Sequence, residues 1–276
     1  MTQYCGIIIT ETDLYVSVVK RIQNKIKVLD RYVYKRSKSL VSDLSAIHSK
    51  NKNIPTIYSL AYTEIPHLIF NKTCSSTPLQ DAWKQRDKLV SAKDNRYTYQ
   101  FILPTIDNQK WSYMVGISQS NISQLQCAES QNHMEIEVVS YWPVPLLDLH
   151  QKHNTPILLL IESNNIVTGY LCIGTVIVST ISWNRNIETP ENMLQRLLEE
   201  SPVRLIDSFE VQAYLSDETY LLWKDTITKY GEVNTSTIND VLNHFTYRWN
   251  NNVYMDAAAG LSYYLARSSV QSEEQK

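Results

Sequence analysis

The sequence predicts an α/β protein of two facing lobes, with a small α/β unit inserted into the first. Two observations carry that prediction. A three-strand meander occurs twice, about 150 residues apart, and each copy carries an acid at its first turn. A repeated unit of that size is the mark of two similar subdomains. Between the copies, from about 66 to 132, the pattern reads strand–helix–strand–strand–helix, a unit of its own.

The first meander is "YCGIIITETDLYVSVVKRIQNKIKVLDRYVYK". Cys5 to Ile9 form an apolar strand and "TETD" a turn. "LYVSVVKR" alternates apolar and polar positions, and "IKVLDRYVY" follows a second turn. "KSLVSDLSAIHSK" then places Leu40, Val41, Leu44 and Ile47 on one helical face, and "IPTIYSLAY" returns as a strand. In the inserted unit "HLIFNK" is a strand. Thr77 is placed to cap a helix with Pro78 in its first position, and Leu79, Trp83 and Val90 share a face of it. "RYTYQFIL" and "KWSYMVGIS" are strands, "SNISQLQCAES" a helix and "MEIEVVSYW" a strand.

The second meander is built from "ILLLI", the turn "ESNN", "IVTGYLCI" and "VIVSTISW". Thr189–Pro190–Glu191 opens a helix with Met193, Leu194, Leu197 and Leu198 on its apolar side. "FEVQAYLS" is a strand, "ETYLLWKDTITKYG" a helix closed by Gly231, and "STINDVLNHF" a shorter helix. In "DAAAGLSYYLAR" Asp256 is read as the cap of a small-residue helix able to approach a neighbour closely, followed by a polar, mobile tail.

This order of elements resembles the actin-like ATPase superfamily, with its ribonuclease H-like lobes. Within it the chain is most similar to the branch of the pilus-assembly protein PilM and the secretion protein GspL, which shares an inserted subdomain with the division protein FtsA. "MEIEVVSYWPVPLLDL" resembles the family's passage into the second half, and "AAAGLSYYLAR" its closing helix. The resemblance implies a first subdomain of residues 1–65 plus 133–150, an FtsA-type βαββα insertion at 66–132, a second subdomain at 151–268 and a disordered tail at 269–276.

The family's nucleotide motifs can be compared position by position. Where its first phosphate loop has Asp-x-Gly, this chain has Ile8 and Thr10, followed by Glu11 and Thr12. Where the second loop has Asp and Gly, it has Glu162 and Asn164, with Ser163 between them. Where a glycine pair faces the adenosine, it has Ser216, Asp217 and Glu218. Ile8 offers nothing to Mg²⁺, and a Cβ at each glycine position holds the backbone away from a phosphate. The chain has only 6 glycines, so substitutes are scarce. These residues read as the degenerate equivalents of a nucleotide site, hence as a pseudo-ATPase. The alternative is an active actin-like or sugar-kinase-like ATPase using Glu11 and Glu162.

Other chemistries find little footing. The four cysteines show no CxxC spacing, and the net charge of −2 gives no basic surface for nucleic acid. His150 and His153 share a helical spacing but have no third ligand nearby, so no metal is expected. Neither a phosphate-binding Gly…Lys-Ser/Thr loop nor a Gly-x-Ser-x-Gly elbow occurs. No signal peptide or membrane span is legible, and the triplets at Asn71, Asn121 and Asn234 read as coincidental glycosylation patterns.

The resemblance therefore implies a non-catalytic cytoplasmic scaffold of a type IV pilus, competence or type II secretion machine, without a cofactor. Its implied partner is the cytosolic N-terminal segment of a single-pass inner-membrane protein, which would hold the chain peripherally at the membrane's inner face; self-association stays open. An extended peptide could add to a sheet edge. Leu68, Phe70, Tyr97, Tyr99, Phe101, Trp111 and Tyr113 are the groove candidates.

Overall fold

The computed structural model describes residues 2–23, 25–61, 67–72, 77–89, 96–106, 108–132, 136–147, 156–163, 166–184, 187–201, 209–229 and 252–274. The first meander becomes β1 (Gln3–Ile9), β2 (Asp13–Ile22) and β3 (Lys25–Lys35), paired antiparallel. β4 (Thr56–Leu60) runs parallel to β1, and β9 (Ile136–Tyr141) parallel to β4, giving the order β3-β2-β1-β4-β9. β1 is central, and from Tyr4 to Ile9 it is buried without alternation, as a strand covered on both faces must be.

One face of this sheet carries α1 (Leu40–Lys50), whose N-cap Ser39 accepts a hydrogen bond from the Ser42 amide. Leu40, Leu44 and Ile47 pack there with Ile7, Ile9, Val16 and Val18. Leu125 and Ala128 of α3 (Gln119–Asn132) join the same cluster. α3 thus lies against α1 on the first sheet, although its place in the sequence suggested the inserted unit. An amphipathic helix follows the apolar surface available to it, and here that surface belongs to the first lobe.

The opposite face is covered by the closing helix, α7 (Val253–Glu274), together with α4 (Val144–Leu147). This differs from the expectation that the helix completes the second lobe. The cause is a fit of small residues: a Cβ on Gly6 of β1 would stand 2.7 Å from the Ser262 amide nitrogen and 2.8 Å from the Leu261 Cβ. Only glycine allows that approach. Two further readings change here. The cap of α7 is Asn252, whose Oδ1 accepts from the amides of Tyr254 (3.0 Å) and Met255 (3.2 Å), so Asp256 lies inside the helix. The helix also continues to Glu274, where a disordered tail was expected.

The second sheet repeats the first in the order β12-β11-β10-β13, with β10 (Pro156–Ser163), β11 (Ile166–Ile173), β12 (Val176–Trp183) and the parallel β13 (Glu210–Tyr214). α5 (Pro190–Glu199) and α6 (Asp217–Thr228) cover one face with Met193, Leu194, Leu197, Trp223 and Ile227. Thr189 caps α5 as its Pro at the start predicts, and Trp183 meets Trp223 edge to face at 5.4 Å. Gly231, the short helix expected at 236–245 and His150–His153 lie outside the described residues.

The inserted unit is the sheet β5-β8-β6, of β5 (His67–Lys72), β6 (Tyr97–Ile102) and β8 (Gln109–Ser118), with short β7 (Thr105–Ile106) on β8. α2 (Pro78–Leu89) packs on one face through Ala82, against Met114, Tyr99 and Phe101. The predicted apolar side of α2 does not face inward: Leu79 is 45% and Trp83 37% exposed. Val90, the third member of that side, is outside the described residues.

Candidate functional site

In the first lobe the turn after β1 is closed on itself. The Thr10 hydroxyl donates to the Asp13 carbonyl (2.9 Å) and accepts from the Asp13 amide (3.0 Å), while the Thr10 amide also donates to the Asp13 carbonyl (2.9 Å). Thr12 donates to the Asp13 carboxylate (2.6 Å), which Lys35 approaches at 3.4 Å. Just past β3, Arg36 reaches over: its guanidinium donates to the Thr10 carbonyl and its amide to the Thr12 carbonyl, both at 2.9 Å. The amides of Thr10 and Asp13 are therefore spent inside the turn, where a phosphate cradle would turn such groups outward. Ile8 is fully buried in the apolar cluster between the sheets, opposite Tyr15 and Ser59. Glu11 is exposed at the tip.

In the second lobe Glu162 does not lie in the turn. It pairs with Val167 as the last residue but one of β10; Asn164 and Asn165, between β10 and β11, are outside the described residues. Glu11 and Glu162 are consequently not counterparts: one is at a turn tip, the other within a strand. Ser163 is the final residue of β10, opposite Ile166.

Glu162 has a definite task. Its Oε2 accepts from the Ser216 amide at 2.7 Å and its Oε1 from the Thr219 hydroxyl at 2.8 Å. Ser216 is the N-cap of α6, with Asp217 and Glu218 in the first turn. The carboxylate thus sits at the start of a helix, where exposed amides and the helix dipole favour an anion. A nucleotide phosphate would use such a position; here a side chain of the same protein fills it. Nothing in the sequence links Glu162 to Ser216, 54 positions away. Only the Ser216-x-x-Thr219 pattern marks the helix start in advance. Replacing Glu162 by alanine removes a charged acceptor of two hydrogen bonds at a site water can reach, so a loss of about 1 kcal/mol in urea unfolding is expected. A change under about 0.5 kcal/mol in that unfolding experiment would show that the contact is incidental.

The groove candidates divide. Trp111 and Tyr113 are buried (8% and 1% exposed) in the cluster that holds Leu158, Leu160 and Val211, so they line no groove. Alternation along β8 turns these two inward, while Met114 faces α2. Leu68 and Phe70 lie on β5 opposite Val115 and Tyr113, with side chains outside the described part. Tyr97, Tyr99 and Phe101 are half-buried on β6, which among the described residues pairs only with β8. Beside them the Trp83 ring stands 6.1 Å from Tyr99, and Tyr99 lies 6.4 Å from Tyr97. The Arg86 guanidinium, paired with Asp87, lies 4.5 Å from the Trp83 ring centre. The Trp83–Arg86 surface is an aromatic patch next to a strand edge.

Among the described residues no group of three His, Cys, Asp or Glu side chains could hold a metal ion. Burial pushes the Cys5 thiol up to about 12 and the Cys172 thiol upward as well, so neither is a ready nucleophile. No described helix is long and apolar enough to cross a membrane.

No family model matches the sequence, and no curated protein matches it. Solved structures do. The PilM–PilN type IV pilus biogenesis complex contains a chain similar at TM-score 0.62 and 11% identity, over 95% of this chain and 98% of that one. The cytoplasmic domain of EpsL, an inner-membrane component of the type II secretion system of Vibrio cholerae, is similar at TM-score 0.53 and 11% identity, over 91% and 98%. A Bacteroides thetaiotaomicron protein of unknown function with an actin-like ATPase fold is similar at 0.50 and 11%, over 88% and 95%. The fold is the actin-like ATPase fold in its PilM- and EpsL-like form, as the order of elements predicted.

Proposed function

We propose that this chain is a non-catalytic cytoplasmic adaptor of a pilus- or secretion-type machine, docking the N-terminal cytosolic segment of a membrane partner. The observation that carries the reading is that both sites are closed by the protein's own groups: the turn after β1 by Thr10, Asp13 and Arg36, and the start of α6 by Glu162 of β10. A protein that had to exchange nucleotide would need those amides free. Likeness to a chain of the PilM–PilN complex and to the EpsL cytoplasmic domain supports the same class of work.

The docking face in this reading is the β6 edge with Tyr97 and Tyr99 and the adjoining surface of Leu79, Trp83 and Leu103, the last 47% exposed. A peptide lying along β6 gains main-chain hydrogen bonds, and its alternate side chains meet the aromatic patch. The test titrates the full chain with synthetic peptides of the first residues of any single-span membrane protein whose gene adjoins this one, and separately with Mg-ATP; the lack of such a neighbour would count against the reading. Peptide binding is expected, weakened at least tenfold by Trp83→Ala, as aromatic anchors at such sites typically carry about 1.4 kcal/mol or more. Micromolar Mg-ATP binding that Glu162→Ala abolishes, without peptide binding, would establish the ATPase reading instead.

A further inference from the structure

α7 lies between the lobes: Ala257, Ala258 and Leu261 share one apolar cluster with Ile8 and Ile57 of the first sheet and with Leu159, Tyr170 and the partly buried Tyr214 of the second. Asn252 caps α7 and hydrogen-bonds the Tyr15 phenol of β2. Tyr254 sits 5.2 Å from Tyr15 and 5.2 Å from Trp142. Asp256 follows, 3% exposed, and its Oδ1 has no hydrogen-bond partner.

The groups around Asp256 come from both sheets. Arg31 of β3 acts on it as a cation favouring the carboxylate. Tyr214 of β13 feels the Asp256 charge, and burial first and that charge second push its phenol well above the usual range. Of the other elements against α7, β2 carries Asp13 and Arg21 on the side of Tyr15, with Lys35 of β3 paired to Asp13, while β1 brings the Tyr4 phenol and β4 and α4 bring apolar Ile57, Leu146 and Leu147. Gln212 shares the Tyr214 face of β13 by strand alternation and is 3% exposed. Neither of its amide atoms nor the Tyr214 hydroxyl has a partner. A strip of β13 therefore offers buried acceptors and donors to the side from which Asp256 acts. Of the groups present, a carboxyl alone turns from acceptor to donor when it takes up a proton.

We propose that Asp256 is a protonation-controlled joint between the lobes: as a neutral acid it donates toward the Gln212–Tyr214 strip of β13, and as a carboxylate it withdraws toward Arg31 of β3. Burial places the exchange between the two forms at about 7. The joint does not depend on whether a peptide docks at β6.

Hydrogen exchange of the full chain from pH 5.5 to 8.5, corrected for the intrinsic pH dependence of exchange, tests it. Amides of β13 and of the first turn of α7 are expected to exchange severalfold faster above pH 7 than below. Asp256→Asn should give a flat profile, and Arg31→Met should move the midpoint upward, because the cation favouring the carboxylate is gone. A profile in Asp256→Asn like that of the wild type, no profile in the wild type, or an unmoved midpoint in Arg31→Met would each overturn the joint. Direct carbon-13 titration of the Asp256 carboxyl in the wild-type chain needs no variant; a midpoint near 4 would overturn it as well.

Discussion

Gly6→Ala is expected to destabilise the protein by about 3 kcal/mol, at the upper end for adding one methyl to a packed interior. The added carbon would meet the Ser262 amide at 2.7 Å and the Leu261 Cβ at 2.8 Å. Both belong to the body of α7, so no side chain can rotate out of the way. Nor can β1 yield, since it is paired on both sides, with β2 and with β4. Gly169→Ala is the control. There the nearest atoms are the Met193 Cε at 2.7 Å and the Leu197 Cδ2 at 3.3 Å, the ends of flexible side chains. A cost under about 1 kcal/mol is expected for it. Urea unfolding of the two variants side by side decides; equal losses would mean that α7 shifts freely on the first sheet.

Asp256→Asn is expected to raise stability, by about 4 kcal/mol at pH 8 and by little at pH 4. The sign follows from linkage. The folded-state carboxyl titrates at about 7, against 3.8 for the ordinary group. Between those values the unfolded chain has released its proton and the folded chain still holds it, so stability falls as pH rises through the window and levels off above it. That difference corresponds to roughly 4 kcal/mol. Asparagine keeps the shape and removes the ionisation. Unfolding midpoints at pH 4, 6 and 8 should converge for variant and wild type at the acid end and diverge toward neutrality. A constant gap would assign the effect to packing rather than charge.

Much of the fold was legible because it rests on local periodicity. Both meanders, α1, α5 and α6 follow from alternation, helical faces and, for α5, the Thr189–Pro190 start. What failed was the assignment of helices to lobes. α3 and α7 each carry apolar faces that fit several surfaces, and only three-dimensional proximity selects the first sheet. Leu79 and Trp83 share a spacing that sequence reads as core, yet the small Ala82 faces the strand beneath because it allows the closer approach. At the site, the missing glycines were plain from the residues alone. The closures by Arg36 and by Glu162 were not, for each joins positions far apart in the chain.

The contact between Gly6 and α7 also bears on how the protein is made. The strand at one end of the sheet's assembly and the helix that seals it are separated by about 250 residues. At ribosomal rates of roughly 5–20 residues per second, that is some 12–50 s in which Tyr4, Ile8 and Val19 wait without their cover. The first lobe cannot finish vectorially while the second is being translated. During synthesis its open face is a natural docking place for chaperones, and a ribosome stalled before residue 253 would leave it uncovered.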